Sequence, residues 1–334
     1  MIIHKFVVHV LDKNVDTPIL NSYEGKISLD MDKFLQKNIK KLLKHDLLRK
    51  AKFKNYEENR VKLLTEQMIY DDKCFLENSK EIAAYLFDIM KKQPGMNSCD
   101  LIVCKLTQKD ETYIAILKLD YKEIYNHSID FKDDKFNIQI LQNEAAIGKT
   151  ATIKQGFIVG VNGLNDEYDL RVLDVEAEKE DLESSFLKDY LDIQKVIDDT
   201  YKTKMFETYT SSYITNVYSN NLKKQEDVRH IRDYMLLENS VMDIGKFLKQ
   251  ALDNEDEIKE FKTYLESQGV DKDFNINKKY VEKKLKNRNI KTDSGINLKL
   301  ERAIVNDPMK FSMKQNPDGS YDIVIKGVKR FEEK

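Results

Sequence analysis

Apolar positions change their spacing several times along the 334 residues, and each change predicts an element. Residues 2–12 carry Val7, Val8 and Val10, the β-branched bulk of a strand. After Asp30, a residue suited to capping a helix, Met31, Phe34, Leu35, Ile39, Leu42, Leu43 and Leu47 recur every three or four positions. That spacing predicts an amphipathic helix. Asn78-Ser79 reads as the cap of a second helix, with Ile82, Leu86 and Ile89 on one side and a stop at Pro94-Gly95. Strands follow at roughly 100–107 and 111–121 around Gln108-Lys109-Asp110, and another at 152–161. From about 182 to 268 the pattern is helical, with few Gly and no Pro, and it returns to strand near 295–327. Pro317-Asp318-Gly319 there predicts a hairpin turn between 309–315 and 320–326, because Pro presets φ and Gly admits a positive one.

The expected class is α+β: an N-terminal mixed domain with antiparallel strands over 1–180, then 181–334 with a helical middle and a basic, β-containing end. This length suits two cores better than one. Three cysteines, an odd number, fit reduced thiols and a cytoplasmic location. The run Ile2–Val10 holds His4, Lys5 and His9, too polar for a secretion signal, and no stretch reaches the roughly 18 apolar residues of a membrane span.

Charge changes the picture because it is segregated. The totals nearly cancel, 56 basic residues against 58 acidic. Residues 33–62, however, hold eleven Lys/Arg and three Asp/Glu. Lys33, Lys37, Lys40, Lys41 and Lys44 share one helix face, opposite the Phe34/Leu35/Ile39/Leu42 stripe. Residues 272–291 hold eight bases and two acids, among them Lys278, Lys279, Lys283, Lys284, Lys286, Arg288 and Lys291, with Tyr280 in their midst. Between them, residues 166–199 hold thirteen acids and four bases. A row of cations can follow a phosphate backbone by releasing condensed counterions, and Tyr280 could stack on a base. The same residues equally describe the solvated face of an amphipathic helix, with Tyr280, Val281 and Leu285 as its buried side.

Motifs for catalysis fail on inspection. Ile147-Gly148-Lys149-Thr150 ends like a phosphate-binding loop, but the required Gly at 143 is Asn. The five histidines are scattered, and Cys99 and Cys104 have no second pair, so no metal ligand set and no cofactor are expected. Asp71-Asp72 and Asp133-Asp134 are adjacent pairs with no partner pattern.

Several segments carry a resemblance. They are Ser294–Lys299 with Asn316–Gly327, Leu117–Lys122, Asp169–Asp174 followed by Phe186–Leu191, and Val7–Asp12. Together they resemble the bacterial nucleoid-associated protein family of the NdpA/YejK type. The resemblance implies a non-catalytic, nucleoid-located protein that binds DNA with little sequence preference. It gives no contact residues, so the two lysine clusters are the expectation from charge alone. The alternatives are a module that docks on a DNA-processing enzyme through the helical stretch Leu222–Leu265, and a metal-dependent nuclease. A homodimer is the default assembly.

Overall fold

The computed structural model describes residues 1–121, 124–132, 135–143, 153–160, 167–180 and 183–330. The fold is α+β, and the chain forms two compact units, Met1–Val196 and Ile197–Lys334.

The first unit is organised around β1 (Ile2–Leu11), β2 (Arg49–Phe53), β3 (Cys99–Gln108), β4 (Glu111–Asp120), β7 (Gln155–Gly160), β8 (Leu170–Asp174) and β9 (Ile193–Lys195). They form one antiparallel sheet in the order β1-β3-β4-β7-β8-β2-β9. β3 and β4 are apolar on both sides, so both faces need cover. On one face Leu101, Val103, Ile114, Ile116 and Phe157 meet helices α2 (Arg60–Tyr70) and α3 (Phe75–Lys92). On the other, Ile102, Cys104, Ala115, Leu117 and Ile158 meet Leu35, Ile39 and Leu42 of α1 (Leu29–Leu43). Burial of each such aliphatic side chain contributes about 1.5–3 kcal/mol. Cys104 is thus a small core residue. The two-stranded hairpin β5 (Ile124–Lys132) and β6 (Lys135–Asn143) lies in sequence between β4 and β7.

Several local expectations need correction. Ser28, not Asp30, caps α1: its hydroxyl accepts from Met31 N–H, and Asp30 falls in the first turn, where a carboxylate suits the helix dipole. Asn78 and Ser79 lie inside α3 rather than at its start. There Asn78 Nδ2 donates to Leu64 O (3.2 Å), and Ser79 Oγ donates to Leu76 O (2.6 Å), so both polar groups are satisfied within the core. α2 and β2 had no counterpart in the apolar pattern, since short elements buried on one side give few repeats.

The aspartates of the family-like segments act as anchors. Asp169 Oδ2 accepts from Phe53 N–H (2.8 Å), tying β8 to β2. Asp174 accepts from Ala177 N–H, Gln155 Nε2 and Ser184 Oγ, starting α4 (Val175–Glu180) and holding the segment after it. Phe186–Tyr190 is a single π-helical turn whose rings pack on Phe157. The unit reaches Val196 because Glu178 joins Arg49 of β2 (3.1 Å) to Lys195 of β9 (2.6 Å), in a largely buried ion cluster.

Lysine ammonium groups close helix ends in three places. Lys105 Nζ, buried under α2, donates to Met68 O and Ile69 O (both 2.9 Å) and to Asp72. Lys13 Nζ donates to Gln93 O, Pro94 O and Met96 O just beyond α3. Lys105 supplies a cation to carbonyls that α2 itself leaves unpaired, and Lys13 holds the C-cap of α3 and the turn after it.

In the second unit, five helices start on an Asp or Asn cap: Asp198 for α5 (Asp199–Val217), Asn221 for α6 (Leu222–Glu238), Asp243 for α7 (Ile244–Ala251), Asn254 for α8 (Glu255–Ser267) and Asn277 for α9 (Lys278–Leu285). Their apolar sides enclose Phe206, Tyr213, Phe247 and Phe261, with Tyr213 stacked on Phe261 at 3.8 Å. The short strands β10 (Val241–Met242) and β11 (Phe274–Asn275) pair beside them. Two hairpins complete the unit: β12 (Asn287–Lys291) with β13 (Asn297–Glu301), and β14 (Phe311–Gln315) with β15 (Tyr321–Ile325), with α10 (Arg302–Val305) between. The second turns at Pro317-Asp318-Gly319 as expected, Gly319 having φ +85°.

His9 is buried and neutral. Asn21 N–H donates to Nδ1 (3.1 Å), so Nε2 carries the proton and donates to Ser79 Oγ (3.0 Å). Burial, with Lys80 adding to it, lowers its pKa from 6.5 to about 4. As pH falls below 6.5, the unfolded chain takes up a proton that the folded one resists, so stability drops between pH 6.5 and 4. By pH 4.5 this amounts to about 3 kcal/mol, at 1.36 kcal/mol per unit. His9→Gln keeps a donor and an acceptor and should lose less stability between pH 7 and pH 4.5 in denaturant unfolding; an identical loss would rule His9 out as the source.

Candidate nucleic-acid interface

On α1, Lys33, Lys37, Lys40, Lys41 and the capping residue Lys44 are all exposed, while Leu35, Ile39 and Leu42 on the opposite side are buried. The first and last of these lysines are eleven residues apart, so the row runs about 16 Å along the axis. Lys40 Nζ donates to Gln36 Oε1 (3.1 Å). The α1 row is thus brought together as the sequence pattern requires.

The second cluster divides by role. Lys279, Lys283, Lys284, Lys286 and Lys291 are exposed. Lys278 is half-buried, and its ammonium donates to Leu236 O (3.1 Å) and Leu237 O at the end of α6, a third helix end closed by a lysine. Arg288 is half-buried and bidentate to Glu226 (2.6 and 2.7 Å). Lys284 stands 3.7 Å from Glu207. Tyr280, Val281 and Leu285 pack on the core of the unit, so Tyr280 takes the buried role rather than a stacking one.

Beside this cluster the second unit holds a cleft of about 600 Å³. Arg229 and Arg232 of α6, Arg288 of β12, Arg302 of α10, Lys284 and Lys291 line it, against Glu207, Glu226 and Asp233. Six cations against three carboxylates leave it net positive. Two of the carboxylates are held by guanidinium groups. Glu226 takes both Arg288 and Arg229, and Asp233 takes Arg232 (2.6 Å) and Arg302 (3.2 Å). Burial pulls the Arg229 guanidinium down from its ordinary value, with Glu226 opposing that shift.

Arg229, Arg232 and Arg302 were missed by sequence reasoning. Their local signal is weak: Glu226 and Arg229 are one helical turn apart, as are Arg229 and Asp233, and both read as surface ion pairs. Only the β12–β13 hairpin and α10 bring Arg288 and Arg302 onto α6. Among the described residues of the acidic block, Glu167, Asp169, Asp174, Glu176, Glu178, Asp192, Asp198 and Asp199 all hold partners within the protein.

Among the described residues, no group of three His, Cys, Asp or Glu side chains is placed to hold a metal ion. Ile147–Thr150 and Asp133-Asp134 lie outside the described residues. Burial raises the Cys99 thiol to about 12 and the Cys104 thiol further, away from reactivity.

The sequence matches the family described as nucleoid-associated protein YejK over residues 7–331. The chain belongs to that family. No individual curated protein is significantly similar to it. The match runs across both units. No helix among the described residues is long and apolar enough to cross a membrane.

Arg232 is only 3% exposed, with Asp233 as its counter-charge. Asp233→Asn would leave a guanidinium buried without compensation. The second unit should lose about 3 kcal/mol, read from its denaturant midpoint, as expected when one partner of a buried pair is removed. A loss under about 1 kcal/mol would mean that the cleft is wet enough to screen Arg232.

Proposed function

We propose that this member of the nucleoid-associated family binds DNA through phosphates, with little sequence preference, using one cationic patch on each unit. The observation that carries the reading is the α1 row: five exposed lysines on one face of a helix whose opposite face is fixed in a core. Such a row presents charge without any side chain shaped to read base edges, so it favours positioning contacts over specificity. On the second unit, Lys279, Lys283, Lys284, Lys286 and Lys291 take the same role, and the net positive cleft adds an anchoring point for a phosphate. Lys278 and Arg288 remain candidates through their charge, although their donors are engaged with carbonyls and with Glu226.

Binding rather than catalysis is the favoured activity. The carboxylates that a nuclease would use to hold a metal are committed to arginines in this cleft: each oxygen of Glu226 and Asp233 faces a guanidinium. Docking on a DNA-processing enzyme is less favoured at the helical stretch first suggested for it. There Val228, Met235, Leu236, Phe247, Leu248, Phe261 and Leu265 fill the unit's own core.

Titration of the full chain onto a short random duplex at several salt concentrations tests this reading. Affinity should fall as salt rises, with a log–log slope of about 0.9 per phosphate contact. Lys33→Ala/Lys37→Ala/Lys44→Ala should weaken binding to every duplex by the same factor and flatten the slope by about 2–3. Lys279→Ala/Lys286→Ala/Lys291→Ala should do likewise. An unchanged slope in either variant removes that patch from the interface.

A further inference from the structure

The β5–β6 hairpin has two unlike sides. In its register Tyr125 faces Gln142, His127 faces Ile140, Ile129 faces Ile138 and Phe131 faces Phe136. Strand alternation puts these eight residues on one side. The other side carries Asn126, Ser128, Asp130, Asn137 and Gln139, with Leu141 opposite Asn126 as its one large exposed apolar residue among those described. The first side holds no charged residue. Its six large apolar members, Tyr125, Ile129, Phe131, Phe136, Ile138 and Ile140, are 54–75% exposed. The two Phe rings lie 5.0 Å apart and make a continuous end to the stripe.

This is unusual for a surface. Side chains of this size, so exposed, offer roughly 100–150 Å² each, or about 700 Å² together. The largest apolar patch on a monomer is usually about 300–600 Å². A two-stranded hairpin is also marginal in water at best unless something packs against it. Both facts call for a cover.

We infer that the apolar side of β5–β6 is a homodimer interface, covered by the same side of the hairpin from a second copy of the chain. Three features favour a second copy over another partner. The area, about 700 Å² a side, is close to the roughly 800 Å² per partner of a stable specific interface. The face can meet its own copy: an isologous contact needs only one patch that complements itself, and this stripe is apolar from Phe131/Phe136 through Ile129/Ile138 to Ile140. It is also uncharged, so two identical faces meet without burying like charges, whereas nothing on it would select a charged partner. Two hairpins packed face to face, about 10 Å apart, would form a small two-layer sandwich that gives each ribbon the cover it lacks.

The test uses the full chain in sedimentation equilibrium, with and without Ile138→Asp/Ile140→Asp. The wild-type chain should sediment at twice its 39.3 kDa mass and the variant at the single mass. The thermal unfolding of the sheet unit should be unchanged, which separates lost association from lost folding. A photo-crosslinking residue placed at 138 should yield a chain-to-chain adduct whose joined peptides both fall within 124–143. A monomeric wild-type chain at about 100 µM, well above the micromolar Kd expected of the weakest specific interfaces, would overturn the inference. So would a variant that still dimerises, or an adduct joining 138 to any other part of the chain.

Discussion

The constraint on which the first unit depends is that β3 and β4 are apolar on both sides. A strand pair of that kind cannot lie at a surface, so helices must cover it twice. Covering one side recruits α2 and α3; covering the other recruits α1 through Leu35, Ile39 and Leu42. Once those three are seated, the rotation of α1 is set and its five lysines have only one direction left. The proposed DNA-facing row is therefore a by-product of core packing. A core substitution that let α1 turn on its axis would disturb the row without touching a lysine.

Much of this was legible in the sequence, and the reasons are specific. The α1 stripe and its lysines could be read because both sides of a long helix repeat in register. β3, β4 and the Pro317-Asp318-Gly319 hairpin could be read because each has a turn signal beside strong alternation. The β5–β6 hairpin was not legible although Tyr125–Phe131 and Phe136–Ile140 alternate, because Lys132-Asp133-Asp134-Lys135 between them holds no Gly or Pro to signal a turn. Asn78-Ser79 misled because a capping residue and a satisfied buried polar residue look the same until a partner such as Leu64 O or Leu76 O is known. The arginine cleft was beyond reach, since Arg302 meets Asp233 across 69 positions of sequence.

Charge in this chain is often used internally. Lys105 and Lys278 each place an ammonium on the open carbonyls of a helix end, Lys13 places one on the cap and turn after α3, and Glu178, Glu226 and Asp233 each hold two cations. Residues that look alike in a charge count thus separate into scaffold and surface. Lys278 and Lys279 are neighbours in sequence, yet one closes α6 and the other points to water. The near-zero net charge sums paired and exposed groups alike, so the exposed rows on α1 and around α9 have more influence on an approaching polyanion than the total suggests.

The placement of β2 has a consequence for how the protein is made. Residues 49–53 leave the ribosome early, but their neighbours are β8 at 170–174 and β9 at 193–195. More than a hundred residues must follow before β2 finds either edge. Until then β1, β3 and β4 can assemble as a meander with α1 on one side and α3 on the other, while β2 and α2 wait as a tethered excursion. Closure of the sheet is then a late event, governed by distant pairing rather than by local order. A growing chain stalled before residue 170 would expose an unpaired strand, and it is in that interval that the N-terminal unit is most open to mispairing with another copy.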